Sequence, residues 1–128
     1  MAIQPRAMEA LSVFSILAPT VVTAANNTTA VDLSGIDGDA LLVLSYAASA
    51  GATGMSVKIQ SGDASNGSDA ADVAGGAYTA LADAAGVQKI SIPRDELGKY
   101  VRLAFTDEVG TYSAAVSCVA IGGARYMS

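Results

Sequence analysis

The residues best placed to do chemistry in this 128-residue chain are its carboxylates. Asp37 with Asp39, and Asp95 with Glu96, form close pairs. Paired carboxylates can hydrolyse a glycosidic bond, one as acid and the other as base or nucleophile. Both pairs sit among turn-forming residues, where Asp is ordinary, and neither is flanked by an aromatic platform for a sugar ring. Two oxygen-rich segments could hold calcium: Asp32, Asp37 and Asp39, then Asp63, Ser65, Asn66, Ser68 and Asp69. The second lacks the Asp-x-Asp-x-Asp-Gly order and the bidentate Glu at the twelfth position, so it reads as a solvated polar loop. The one cysteine, Cys118, has no histidine to activate it, because the chain contains none. That removes the usual Ser–His and Cys–His pairings. No Ser-x-x-Lys sequence offers a lysine base instead. No phosphate loop, dinucleotide fingerprint or Cys/His metal spacing is present. Cys118 therefore reads as a small core residue. The expectation is a protein with no catalytic residue, cofactor or metal.

The surroundings of these residues point the same way. Hydrophobic residues make up 52% of the chain and charged residues only 15%, against roughly 25% charged in an average soluble domain. Mean hydropathy is +0.42. A wholly disordered chain would need the opposite balance, and one cysteine excludes a disulfide scaffold. The net charge of -5 repels phosphate backbones, and the seven basic residues are scattered rather than clustered, so no nucleic-acid partner is expected. No window reaches the roughly 20 uninterrupted apolar residues of a membrane helix. Residues 10–25 are apolar and follow Arg6, but Glu9 and Pro19 break the pattern of a secretory leader. The Asn26, Asn27 and Asn66 sequons read as turn chemistry.

Periodicity supplies the elements. Apolar residues recur with period two or in short blocks bounded by turn residues, which is strand behaviour. Met55, Val57 and Ile59 alternate with Ser56, Lys58 and Gln60. Val101, Leu103 and Phe105 alternate with Tyr100, Arg102 and Ala104. Residues 40–48 (ALLVLSYAA) are apolar on both faces, as in a central strand covered on both sides. Residues 87–92 (VQKISI) end at Pro93, and 112–121 (YSAAVSCVAI) form the last strand, which Gly122-Gly123 should end. Residues 26–27 and 106–110 read as turns, 34–39 as a loop, and 94–98 as one helical turn. Residues 61–76, rich in Gly, Ser, Asp and Ala, read as an exposed, mobile loop. About eight strands with little helix make an all-β protein, a β-sandwich or jelly roll. Its expected core is Leu42, Leu44, Val57, Ile59, Ile90, Ile92, Val101, Leu103, Phe105, Val116 and Cys118. Residues 1–27, with Pro5 and Pro19, read as an extended N-terminal arm or a first strand, ahead of a sandwich domain at 28–128. As an arm they would contact a neighbour through Phe14, Ile16 and Leu17.

A run of short motifs adds a resemblance. Val31-Asp32-Leu33 and Gly35 lead into Asp39-Ala40-Leu41-Leu42-Val43-Leu44. Val57-Lys58-Ile59-Gln60, a polar loop and Tyr78-Thr79-Ala80-Leu81 follow. Lys99-Tyr100-Val101-Arg102-Leu103 precedes an apolar strand ending at Gly122-Gly123, with Arg125-Tyr126 beyond. Over residues 30–126 this order resembles a family of small virion structural proteins of tailed bacteriophages. The resemblance implies a β-sandwich on the phage head and transfers no catalytic residue. The expected function is a capsid decoration (cement) or minor capsid protein on the head exterior. Its partners would be the major capsid protein and copies of itself, most readily as a trimer. A tail or head-tail connector component, and a secreted carbohydrate-binding β-module, are the alternatives.

Overall fold

The structure, a computed structural model, describes residues 11–49, 54–81, 84–107 and 113–124. Among the described residues nine strands follow one another: β1 (Leu11–Val22), β2 (Asn26–Asn27), β3 (Val31–Asp32), β4 (Ile36–Tyr46), β5 (Met55–Gly62), β6 (Ala71–Ala77), β7 (Gly86–Ile92), β8 (Tyr100–Asp107) and β9 (Ala114–Ala124). A single 3-10 turn, Arg94–Glu96, precedes β8. One sheet has the order β1-β9-β4-β7. The other has the order β2-β8-β5-β6, with β3 also on β8.

All the pairings are antiparallel, and they nest. The first strand pairs with the last, β2 and β3 with β8, β4 with β7, and β5 with β6. Counting β2 and β3 as two halves of one strand gives eight. An eight-strand ribbon of nested pairs, folded over into two sheets, is a jelly roll. We call the sheet containing β1 the front sheet and the other the back sheet.

Side-chain alternation drives the two sheets together. Successive residues of a strand point to opposite faces, so Met55, Val57 and Ile59 of β5 and Val101, Leu103 and Phe105 of β8 enter the core. They meet Ala40, Leu42 and Leu44 of β4 and Ala114, Val116, Cys118 and Ala120 of β9. Thin side chains on β9 leave room for larger ones opposite. Each fully buried Leu, Ile, Val or Phe contributes about 1.5–3 kcal/mol of transfer free energy. Every residue expected in the core is buried except Ile90, which is half-buried because β7 is an edge strand.

Several expectations change. Of the two alternatives for the N-terminal segment, residues 11–22 take that of a first strand, β1, hydrogen-bonded to β9. Two bulges lie between Ser15 and Thr20, and Pro19 is tolerated because β1 is an edge. These bulges break the period beyond Ser15, which is why spacing left arm and strand both open. Residues 1–10 of the expected arm lie outside the described residues, as do residues 108–110 of the expected turn, Tyr112 and Arg125-Tyr126. Asn26-Asn27 is a short strand, with Thr28 extending the pairing through Leu103. Within 34–39 only Ser34-Gly35 turns, and Ile36 already lies in the core as β4 begins. The last strand runs through Gly122-Gly123, which pair with Ala40 and Asp37.

Residues 61–76 are the largest correction. The segment is a compact turn followed by a strand, β6, with Val73 buried. Polar groups do the ordering that apolar area cannot. The Asp69 carboxylate accepts the main-chain N–H of Asp63 and of Ala64, both at 3.0 Å. Asn66 Oδ1 accepts the N–H of Ser68. Ser61 Oγ donates to Tyr100 O and accepts the N–H of Gly98. Gly67, at φ 75°, supplies the left-handed step.

Candidate functional site: the outer face of the front sheet

The two outer faces differ in chemistry. On the back sheet, Arg102 Nε donates to Gln60 Oε1, Gln60 Nε2 donates to Asp72 Oδ1, and Lys58 Nζ donates to Asp72 Oδ2, each at 2.9 Å. Gln60 first, then Lys58, holds the Asp72 carboxyl below its ordinary range. The polar groups of this face are satisfied within the chain.

The front sheet presents the reverse. Its register lines up four cross-strand rows on the outer surface. One row is Val13–Ile121–Leu41–Ser91. The next is Ser15–Val119–Val43–Lys89, and beyond it lies Ser117–Ser45–Val87. At the opposite end lies Leu11–Gly123–Asp37. Val13 is 62% exposed and Val87 66%. Leu41, Val43, Val119 and Ile121 are half-buried. The four large hydrophobic residues exposed among the described ones, Leu11, Val13, Val21 and Val87, are all on this face. A contiguous exposed apolar patch marks an interaction surface more often than single exposed residues do. The expectation that residues 40–48 are covered on both sides is thus corrected: the outer side of β4 is open among the described residues.

Charge on the rows is confined to two residues. Lys89 stands at the β7 edge of its row, and Asp37 in the row on the far side of Leu41, both exposed. Neither side chain has a hydrogen-bond or ion-pair partner among the described residues. Gly123 and Val119, their row neighbours on β9, are four residues apart in sequence, so the two rows lie about 13 Å apart along the strands.

Of the residues singled out for chemistry, Asp37 alone lies on this face, and the others lie elsewhere. Cys118 is 1% exposed, and burial pushes its thiol up to about 12. Asp32 Oδ1 accepts the N–H of Ser34, and Asp39 Oδ1 that of Arg94. Asp63 Oδ1 accepts the N–H of Lys99. Asp95 and Glu96 lie in the 3-10 turn. Among the described residues no three His, Cys, Asp or Glu gather as metal ligands. Phe14, Ile16 and Leu17 face inward: Ile16 is in the core and the other two are half-buried against it. They fasten β1 to the sandwich instead of reaching out as anchors. A cavity of about 300 Å³ opens where β1 gives way to β2, lined by Leu17, Thr20, Val22, Asn26 and Phe105. The sequence did carry a signal for the apolar face, in the two-sided apolar runs of β4 and β9. Periodicity reports such runs without reporting what covers them.

No family model matches the chain, and no curated protein matches its sequence. Solved structures do resemble it. A chain of infectious bursal disease virus, Gx strain, matches at 13% identity with a TM-score of 0.51, covering 88% of this chain and 32% of that one. The Gt strain gives 10% identity and 0.51, covering 87% and 31%. A chain from Bacillus endospore appendages, a novel family of disulfide-linked pili, gives 8% and 0.48, covering 90% and 91%. The chain spans about a third of the length of the viral chains. At these identities the likeness to the viral chains is one of fold alone.

Proposed function

We propose that this chain is a structural virion protein, a decoration or minor capsid protein on the outside of a tailed-phage head. The observation that carries this reading is the apolar outer face of the front sheet on an otherwise polar jelly roll. Such a face is built for contact with protein. The fold shared with chains of a virus supports the reading. Bridging major capsid subunits requires a rigid body and repeated weak contacts, which gain avidity when copies are linked. Copies would associate with closed symmetry, a threefold matching the local symmetry of a shell. No chemical step, cofactor or metal is part of this role, and neither nucleic acid nor membrane is a partner. A tail or connector position would use the same surface. A carbohydrate-binding module is less well supported, because no aromatic side chain among the described residues is exposed.

The test is binding of the purified chain to phage heads that lack it, followed by electron microscopy. Decoration of the head exterior is expected. Val13→Asp, on the apolar face, should weaken binding at least about tenfold, the equivalent of 1.4 kcal/mol. Location on the tail, or no binding to heads, would overturn the proposal.

A further inference from the structure

We infer that the outer face of the front sheet binds the same face of a second copy, face to face about a two-fold axis. The inference rests on the reading of that face as an assembly contact, and it names the partner. Charge and row order on this face are complementary to themselves. The row of Val13, Ile121, Leu41 and Ser91 lies midway between the row holding Lys89 and the row holding Asp37. A two-fold axis along the middle row stacks Leu41 on its own copy and Ile121 likewise. The same axis exchanges the two outer rows. Lys89 of each copy then lies over the Asp37 row of the other. The two residues sit one strand apart in the sheet, about 4.8 Å, an offset that the flexible four-carbon stem of Lys89 covers. Val119 comes to face Gly123, where the absence of a side chain leaves space.

The two charges on these rows are therefore opposite in sign, unpaired within the described chain, and placed to satisfy each other twice in one dimer. A foreign apolar partner would have to supply both complements itself. Self-pairing is isologous, so each contact is made twice.

The patch is small. Four strands spaced about 4.8 Å apart and rows spanning about 13 Å, with margins, give a footprint of roughly 350 Å². A stable interface buries about 800 Å² per partner. The pair is therefore weak and reversible in solution, and it becomes effective where many copies are held together. A threefold contact through other surfaces is compatible with it, and the pairing would then join trimers.

Sedimentation equilibrium of the full chain, from micromolar to millimolar concentration, tests the inference. The mass should rise towards double that of the smallest species, and more so at low salt. Lys89→Asp and Asp37→Lys should each weaken pairing by about tenfold. Together they should restore it, because the pair is then reversed rather than broken. Lys89→Gln and Asp37→Asn, which merely remove charge, should weaken it less and flatten its salt dependence. Unchanged melting temperatures identify the variants that remain folded. A mass independent of concentration, or a double variant no better than the single ones, would overturn the pairing. A chain that decorates heads yet never pairs sinks this inference alone. One that pairs but is missing from phage particles sinks the virion reading and leaves the pairing standing.

Discussion

The phenolic hydroxyl of Tyr78 donates a 2.9 Å hydrogen bond to the main-chain oxygen of Leu42 in the front sheet. The main-chain N–H of the same residue donates to Val57 O in the back sheet, at 3.0 Å. One residue thus ties the two layers through the core. Tyr78→Phe keeps the ring and removes the bond, and should cost about 1–2 kcal/mol in chemical denaturation. Tyr78→Ala also opens a cavity and should cost about 3–5 kcal/mol.

Cys118 should be inert while the chain is folded. Its thiol is buried and stays protonated to about pH 12, and thiolate is the reactive form. A thiol reagent at mildly alkaline pH should label it at the rate of unfolding, and at once in denaturant. Fast labelling of the folded protein would contradict the buried position.

The same burial sets a pH dependence. The folded state keeps the Cys118 proton above the ordinary value of 9.0, whereas the unfolded chain gives it up. The folded state then binds more protons, so stability is full below pH 9 and falls as pH rises towards 12. The slope is about 1.4 kcal/mol per pH unit for each such group. Burial raises Tyr78 too, from 10.0, so the fall steepens above pH 10. Cys118→Ala should remove the part that begins near pH 9, as read by urea titrations at several pH values.

Asp69 should control the order of the turn between β5 and β6. Hydrogen bonds from Asp63 N–H and Ala64 N–H hold its carboxyl below 3.8. The stabilisation is present above that value and lost as pH falls through the depressed range. Hydrogen exchange should show the Asp63 and Ala64 amides protected at neutral pH. Protection should be gone in Asp69→Ala. Equal protection in the variant would mean that other groups hold the turn.

Gly67 and Gly75 separate two kinds of strain. Both have positive φ. A Cβ on Gly67 would sit 2.8 Å from Arg102 Nη1, while one on Gly75 meets nothing within 4 Å. Gly75→Ala should cost about 1 kcal/mol, from the backbone alone. Gly67→Ala should cost more, because Arg102 must also move away from Gln60. Thermal denaturation of the two variants side by side would check the order.

These positions explain what the sequence made legible. The alternation of Met55, Val57 and Ile59 against Ser56, Lys58 and Gln60 is a direct image of a pleated strand, and it placed β5 and β8 without ambiguity. β6 was invisible because ADVAGGA has almost no strand propensity of its own. It is a strand because β5 offers a ladder and Asp69 shapes the turn before it. Phe14, Ile16 and Leu17 were anchors on the arm alternative only, and the bulges of β1, which put residues of both parities on the inner side, kept spacing from deciding between the two. The apolar face was half legible: Leu41 and Val43 advertised a second buried side. Whether a layer of the same chain covers that side depends on topology, which one-dimensional spacing does not contain.

The nested pairing has a kinetic consequence. Val13 and Ile121 share a row only because the first strand pairs with the last. Such long-range closure forms slowly, since loop entropy must be paid before the contact returns anything. During synthesis β1 has no ladder to join until β9 leaves the ribosome. The apolar face with its row of Val13, Ile121 and Leu41 does not exist before then. A nascent chain therefore lacks the surface through which finished copies would meet, and assembly waits for folding to end.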